Sequence, residues 1–284
     1  MDETLNRKVL NRLLKGKPLD GLPLPVRDGR LDLRGFRFEA PEIRNFSWKG
    51  LDFSGVDLSA LRMSHGEIDH CLFEKCDASE ARMWATTVSN SSFRGASLKG
   101  AVLGGVDLDG RWNTFRHVDF TKADLRRTVY KAASFESCLF RNSKIEDVNF
   151  QTTRFSDCPF EGRIVRVLFY RRGFRGEEFP PNEMANVDFS NATLRWVEFR
   201  ELDLDRVTLP NNSEHILIQS YPAVLDRMIA ALGTEGGLSS RRLAAVFEHD
   251  RKWAGPNQVQ GVLNVQDLIE VGGEEGLERV RELL

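Results

Sequence analysis

Apolar residues recur at every fifth position along more than half of the chain. The regular runs are Leu33 to Leu108, Phe115 to Phe160 and Ile164 to Leu209, separated by two shifts of phase. An α-helix repeats every 3.6 residues and a β-strand every two, so neither element produces this spacing. A backbone that turns a corner once every five residues does produce it, and the pattern therefore predicts a solenoid.

The residues around each apolar position place the corners within the repeat. The residue two before it is mostly small or aliphatic, as at Val56, Cys71 and Ala96. The residue directly before it is often Asp or Asn, and glycine recurs two residues after it, as at Gly55 and Gly95. Asp, Asn and glycine are the residues that turns favour, so they mark the corners.

This pattern resembles the pentapeptide-repeat family, whose motif is roughly Ala-Asp/Asn-Leu/Phe-X-X. Segments such as LDFSGVDLSA and VDFTKADLRR carry the motif, and the resemblance covers about residues 31–210. It implies an all-β solenoid, a right-handed quadrilateral parallel β-helix of about nine coils with four repeats in each coil. The central apolar residue and the residue two before it then point inward.

The same resemblance predicts a core built on phenylalanine, because residues twenty apart stack in columns. The chain has 19 Phe against 3 Tyr, which indicates sites closed to water. The predicted structural core is Phe53, Phe73 and Phe93, then Phe115, Phe135 and Phe155, then Phe120, Phe140 and Phe160. The four cysteines fall at the small inward position, so we interpret them as packing residues.

Three regions follow from this interpretation. They are an N-terminal helix and cap over 1–30, the β-helix over 31–210 and an α-helical region over 211–284. In the last region, apolar spacing predicts helices after Ser220 and after Ser239 or Ser240, and Asn264 is placed to cap another. This region is longer than a simple cap needs. It either covers the end of the rod or mediates a homodimer, and we favour a cap that also makes a dimer contact.

The composition of the chain argues against several classes of function. The chain is 41% hydrophobic and 29% charged with a formal net charge of -2, which argues against direct nucleic-acid binding. It lacks an apolar stretch of roughly 18 to 20 residues and a secretory signal, so we expect no membrane contact and a cytoplasmic location. We find no metal, cofactor or catalytic motif, so we expect no metal, no cofactor and no enzymatic activity.

Two interruptions of the repeat are candidates for partner binding, because loops on a rigid scaffold commonly carry recognition. The first covers about 109–114. The second covers about 171–186, where polar residues at the inward position favour a loop over a distorted coil. The candidate binding residues are Arg111 and Trp112, then Arg171, Arg172 and Arg175, and the tryptophans Trp84 and Trp196. The alternative for these tryptophans is a place beneath the caps or the loop.

The leading functional hypothesis is a non-catalytic scaffold that binds another protein of unidentified nature. The family resemblance also implies an alternative, protection of a type II topoisomerase such as gyrase against poisons by an acidic rod that mimics DNA. That role needs a sustained negative face, whereas basic residues such as Arg126 and Arg141 punctuate this rod. A second alternative is an immunity or resistance protein that sequesters a toxin, and the residues do not separate it from the first hypothesis.

Overall fold

The computed structural model describes residues 1–130, 132–172 and 180–284. Helix α1 spans Glu3–Leu14. The strands that follow are β1 (Val26–Arg27), β2 (Arg30–Asp32), β3 (Glu42–Arg44), β4 (Ser47–Lys49), β5 (Leu51–Asp52), β6 (Arg62–Ser64), β7 (Glu67–Asp69), β8 (Arg82–Trp84), β9 (Thr87–Ser89), β10 (Asn113–Arg116), β11 (Ala133–Glu136), β12 (Phe140–Arg141), β13 (Ile145–Phe150), β14 (Thr153–Ser156), β15 (Pro159–Tyr170), β16 (Val187–Arg200) and β17 (Val207–Thr208). The C-terminal elements are β18 (His215–Gln219), α2 (Tyr221–Gly233), α3 (Leu238–Trp253), β19 (Gln260–Asn264) and α4 (Val265–Leu283).

The strands from β2 to β17 stack in parallel, each against the strand one coil further along the chain. In β3, β6 and β8 the aligned residues are Glu42, Arg62 and Arg82. This stacking confirms the predicted parallel β-solenoid. It makes about eight turns, close to the expected count of about nine. At about 4.8 Å per coil, the rod is roughly 38 Å long.

Each corner of the coil depends on a residue in the left-handed backbone conformation. Lys75, Glu80 and Asn90 occupy such corners with φ of 54°, 57° and 48°. The conformation costs a residue with a side chain about 1–2 kcal/mol. It directs the corner N–H along the rod, where Lys75 N donates to Arg94 O at 2.9 Å and Glu80 N to Lys99 O at 3.0 Å. The corners therefore hold successive coils in register.

Aromatic stacks run along the interior of the rod in three rows. The first contains Phe53, Phe73, Phe93, Phe120, Phe140, Phe160 and Phe189, the second contains Phe115, Phe135 and Phe155, and the third contains Phe150, Phe169 and Phe199. Adjacent rings in these stacks have centroids 4.6–5.5 Å apart and planes tilted by at most 21°. This separation is close to the spacing of strands in a sheet, so one residue type on successive coils keeps continuous contact.

Two insertions interrupt the coil, and together they explain why it makes about eight turns. Leu108 fits the five-residue period, but its side chain is fully exposed, because residues 104–112 leave the coil as a loop. The central residue after Leu103 is therefore Phe115, which aligns with Val88. At the second insertion, Ala185 aligns with Ser156, which makes its neighbour Met184 the next central residue after Phe169. Phe174 and Phe179, which the period also includes, lie outside the described residues.

A buried asparagine returns the chain to the coil after the first insertion. Asn113 is 0% exposed, its Nδ2 donates to Met83 O at 2.7 Å and its Oδ1 accepts from Thr86 N at 3.0 Å. Met83 and Thr86 flank one corner of the coil below. The side-chain amide thus satisfies two buried backbone groups of that corner at once.

Asn182 has the same role after the second insertion. Its Oδ1 accepts from Phe155 N at 3.0 Å and its Nδ2 donates to Tyr170 O at 3.2 Å. We expected a polar residue at this position to leave the coil, and that expectation is wrong for Asn182, which is 2% exposed. Burial is tolerated because the amide is hydrogen-bonded on both sides.

The C-terminal region packs against the last coil and forms a second apolar core of its own. Its contacts with the rod are Glu201 N to Trp253 O at 2.8 Å, Val259 N to Asp203 O at 3.0 Å, and Gln260 Nε2 to the carbonyl oxygens of Leu204 and Val207 at 2.7 Å. Asn264 caps α4 as the sequence predicted, with its Oδ1 accepting from the N–H groups of Gln266 and Asp267. In the described part of the chain, no helix has the length and apolar character to cross a membrane.

Asp250 of α3 carries a perturbed carboxyl group at the junction between this region and the rod. Burial raises the pKa of Asp250 to about 6, although the Tyr221 hydroxyl donates to its Oδ2 at 3.1 Å. The charge of Glu198 on β16 raises this pKa further, and His249, 3.2 Å from Glu198, lowers it. The free energy of unfolding therefore falls as the pH rises from about 4 to about 6, because the buried carboxyl group ionises less readily than it does in the unfolded chain.

We expect Asn113→Ala to lower the free energy of unfolding by about 3 kcal/mol, because it leaves the Met83 carbonyl and the Thr86 N–H buried without partners. Urea unfolding followed by circular dichroism measures the change. Asn191→Ala, at an exposed site, is the control and is expected to change stability by less than about 0.5 kcal/mol. Equal effects of the two substitutions would contradict the role of Asn113.

We expect Asp250→Asn to stabilise the protein by about 1–3 kcal/mol near pH 7.5 and to have little effect near pH 4, where the native carboxyl is already protonated. The carboxamide that replaces the carboxyl group keeps an acceptor for the Tyr221 hydroxyl. Unfolding curves at several pH values test this, with the exposed Asp226→Asn as control. A stabilisation that does not depend on pH would be inconsistent with burial of the charge.

Candidate protein-binding surface

The loop of residues 104–112 is organised around Asp107. Its Oδ1 accepts from the backbone N–H groups of Asp109 at 2.9 Å and Arg111 at 2.8 Å, and its Oδ2 accepts from Arg111 Nε at 2.8 Å. His65 Nε2 lies 3.4 Å from Asp107 Oδ2 and ties the loop to the rod. Partial burial opposes ionisation of Asp107, but the hydrogen bonds from Arg111 outweigh it and lower the pKa. The loop therefore has a defined shape at neutral pH.

Trp84 at the end of β8 supports the first turn of this loop. A Cβ atom at Gly105 would lie 2.2 Å from Trp84 Nε1, so the loop backbone rests directly on the indole ring. Only glycine permits this approach. The Trp84 side chain remains 43% exposed, and Leu108 at the tip of the loop is fully exposed. The loop thus presents apolar surface from a rigid base.

The loop separates two grooves on adjacent faces of the rod. The groove on the side of β3, β6 and β8 has a volume of about 670 Å³ and is lined by Arg62, Arg82, Trp84 and Leu108 among others. We call it the arginine groove.

The second groove, on the side of β10, β11 and β14, has a volume of about 490 Å³ and is lined by Arg111, Trp112 and Arg154 among others. Trp112 is half-buried, and its Nε1 donates to Ser134 Oγ at 3.4 Å. Three of the predicted binding residues, Trp84, Arg111 and Trp112, therefore meet around one loop.

The remaining predicted residues lie toward the C-terminal end of the rod. Trp196 contacts α4, where its backbone N–H donates to Asp267 Oδ2 at 2.7 Å and its Nε1 donates to Glu270 Oε2 at 3.2 Å. Trp196 thus lies beneath the C-terminal region, which is the alternative that the sequence analysis left open for the tryptophans. The neighbouring Arg195 hydrogen-bonds to the same two acids.

Arg171 and Arg172 lie at the start of the second insertion. Arg171 Nη1 donates to Asp203 Oδ2 at 2.6 Å, so this charge is engaged within the molecule. Arg172 is 3.8 Å from Glu201 and its side chain is 76% exposed, which leaves it accessible to a partner. Arg175 lies outside the described residues.

Several acidic side chains on the outside of the rod pair with a basic side chain of a neighbouring coil. Pairs that join adjacent coils include Arg94 with Asp119 at 2.9 Å, Arg116 with Glu136 at 3.2 Å and Arg141 with Glu161 at 3.0 Å. Within the described ranges, each face carries bases among its acids. In the described part of the rod, basic side chains therefore interrupt the acidic ones on each face.

The cysteines lie in the core. Cys71, Cys76, Cys138 and Cys158 are all buried and free. Burial raises the pKa of Cys71 to about 11 and of Cys76 to about 12, so these thiols stay protonated at neutral pH and act as small packing groups. Among the residues that the structure describes, no three metal-ligating side chains form a cluster.

The sequence analysis missed Arg62 and Arg82 as candidate binding residues. Both are exposed and align on adjacent coils at β6 and β8. A signal was available, because each directly precedes a central methionine at the position where the repeat elsewhere favours Asp or Asn. A single arginine cannot be told from other surface charges in the sequence until the alignment of the coils is known.

Comparisons with known proteins identify the repeat. The family model for pentapeptide repeats matches residues 76–110 and 115–157 with eight copies. The two matched ranges flank the end of the first insertion. No curated protein sequence matches the chain.

Several solved structures are similar to the chain. QnrB1, a plasmid-mediated fluoroquinolone resistance protein, is 16% identical over 56% of this chain and 83% of its own, with a TM-score of 0.30. HetL, involved in heterocyst differentiation regulation in the cyanobacterium Nostoc, is 15% identical over 61% and 90%, with a TM-score of 0.34. Rfr23 from the cyanobacterium Cyanothece is 11% identical over 42% and 86%, with a TM-score of 0.32.

We expect Gly105→Val to displace the loop, because the valine Cβ and the Trp84 indole cannot occupy the same space. Trypsin cleavage after Arg111 should become severalfold faster while thermal unfolding of the rod changes little, since the loop lies outside the core. Gly236→Val is the control, because its added Cβ meets no atom within 4 Å. Unchanged cleavage would show that the loop does not rest on Trp84.

Proposed function

The chain belongs to the pentapeptide-repeat family, and from that premise we propose that it is a non-catalytic scaffold that binds another protein. The support comes from the surface around the 104–112 loop. There a fully exposed leucine and a partly exposed tryptophan line the same groove, next to a coil that the core and the corners make rigid. Exposed aromatic and aliphatic groups on a preorganised base are typical of the centre of a protein interface.

The interior of the rod supports this assignment over catalysis. The stacked Phe side chains fill the centre of the coils, and the two largest grooves lie outside, on the surface of the rod. Proteins with this architecture act through their outer faces and loops. The buried free cysteines also suit a reducing cytoplasm, where we place the protein.

Ion pairs between neighbouring coils favour this proposal over DNA mimicry. Paired charges such as Arg94–Asp119 and Arg141–Glu161 neutralise the outer surface that a mimic would keep acidic. Sequestration of a toxin is one form of the proposed binding function. The second insertion with Arg172, and a homodimer through 211–284, remain further proposals for contact surfaces.

Affinity capture from the source organism tests the proposal. We expect the wild-type chain to retain a specific partner and the Trp84→Ala/Leu108→Ser variant to lose it, because both apolar groups leave the surface. Leu238→Ser is the matched control, since Leu238 is an exposed leucine of α3, 58% accessible and distant in the fold. Equal recovery with all three proteins would refute the assignment of this surface.

A gyrase supercoiling assay with a quinolone poison tests the alternative. We expect no protection at roughly micromolar protein, because the rod lacks a continuous acidic face. Protection at that concentration would favour DNA mimicry over the proposed scaffold. Circular dichroism of each variant checks that its fold is retained.

A further inference from the structure

The arginine groove contains two positive charges that the protein does not neutralise. Arg62 and Arg82 stand one coil apart in register and are exposed. Neither guanidinium forms a hydrogen bond or an ion pair with an acid in the part of the chain that the structure describes. On other parts of the rod, arginines such as Arg94 and Arg116 reach an acid of the next coil.

The acids near this groove are already engaged. Arg44 Nε donates to Glu42 Oε1 at 2.7 Å, and this hydrogen bond, aided by the charge of Arg62, lowers the pKa of Glu42. On the loop side, Asp107 accepts from Arg111 Nε at 2.8 Å. Together with Arg111, which also pairs with Asp109, the groove holds four arginines and three acids, and the guanidinium groups of Arg62 and Arg82 are the ones left for the carboxylates of a ligand.

The two arginines also occupy positions that normally stabilise the corners. At the equivalent place in other repeats, Asp57 Oδ1 accepts from Ser59 N at 2.9 Å and Asp77 Oδ1 from Ser79 N at 2.9 Å. An arginine has no acceptor and gives up this hydrogen bond. Val102 and Val129, at the same position in the next two coils of this face, also lack an acceptor, so the outward side chains at these four positions are not needed for corner hydrogen bonds.

Apolar surface continues from the arginines along the same row. Arg82 aligns with Val102 and Val102 with Val129, so each step is one coil of about 4.8 Å. Val129 is 43% exposed but does not line the arginine groove, whereas Trp84, with an equal exposed fraction, and the fully exposed Leu108 both line it. A ligand placing carboxylates on the arginines therefore has apolar contacts within the same groove.

We propose that the arginine groove binds an acidic segment of a partner protein, with its carboxylates on Arg62 and Arg82 and a following apolar side chain against Trp84 and Leu108. The proposal rests on the protein-binding function above and adds the chemistry of the partner. A nucleic acid fits less well, because the row changes from arginine to valine after two coils and offers its phosphates no continuing positive track.

Fluorescence anisotropy tests the proposal with the full chain and a fluorescein-labelled synthetic peptide. The peptide carries two glutamates, a glycine and a phenylalanine between Gly-Ser flanks. Arg62→Ser/Arg82→Ser is the test variant. Arg127→Ser/Arg163→Ser, which removes two charges from another face, is the matched control.

We expect the peptide to bind the wild type and the control equally and to bind the test variant roughly tenfold more weakly. Replacing its phenylalanine by serine, or raising the salt concentration, should also weaken binding. Several results would overturn the proposal: no binding up to roughly 1 mM peptide, equal binding to the test variant, equal binding of a peptide with lysines for glutamates, or tighter binding of a single-stranded DNA dodecamer.

The capture experiment separates this inference from the proposed function. If the native partner is lost with Trp84→Ala/Leu108→Ser and kept with Arg62→Ser/Arg82→Ser, the protein-binding function stands and the acidic-segment inference fails. If both double variants lose the partner while Arg127→Ser/Arg163→Ser keeps it, both proposals are supported. If neither double variant loses it, both fail.

Discussion

A left-handed corner every five residues is the constraint on which the rest of this molecule depends. At corners such as Lys75 and Glu80 the backbone adopts φ near 55°, and the N–H group reaches the coil above. Because every coil then rises by one strand spacing, the Phe rings fall 4.6–5.5 Å apart and stack. Conformational cost at the corners is offset by hydrogen bonds and by burial of the rings. The interior thus follows from the corner geometry.

The same constraint explains how the rod accommodates an insertion. A loop between two coils separates backbone groups that a regular corner would bring together. Asn113 and Asn182 compensate at the re-entry points with a side-chain amide that both donates and accepts. The aromatic stacks continue past each insertion, as from Phe93 to Phe120. Loop and core are consequently independent, and a loop can diversify without loss of the scaffold.

The sequence predicted the solenoid because its evidence is repeated many times, and phased apolar residues leave few alternatives. It did not predict the fate of Leu108, since one leucine on the period is indistinguishable from a core residue until the loop is seen. The antiparallel pair of β18 and β19 was also missed, because its strands are about forty residues apart with two helices between them. The sequence predicted Trp84, Arg111 and Trp112 as candidate binding residues, but it did not predict that they meet around one loop.

In a repeat protein, departures from the repeat carry more functional information than agreement with it. Asp57 and Asp77 are explained by the corner that each one stabilises, so they indicate nothing about partners. Arg62 and Arg82 have no such structural explanation, and their side chains point away from a core that does not need them. The outward side chains can change without disturbing the stacked interior, so selection can alter a row of them one coil at a time. A short basic step followed by an apolar step is therefore the pattern we expect where a partner, rather than the fold, determines the outward side chains.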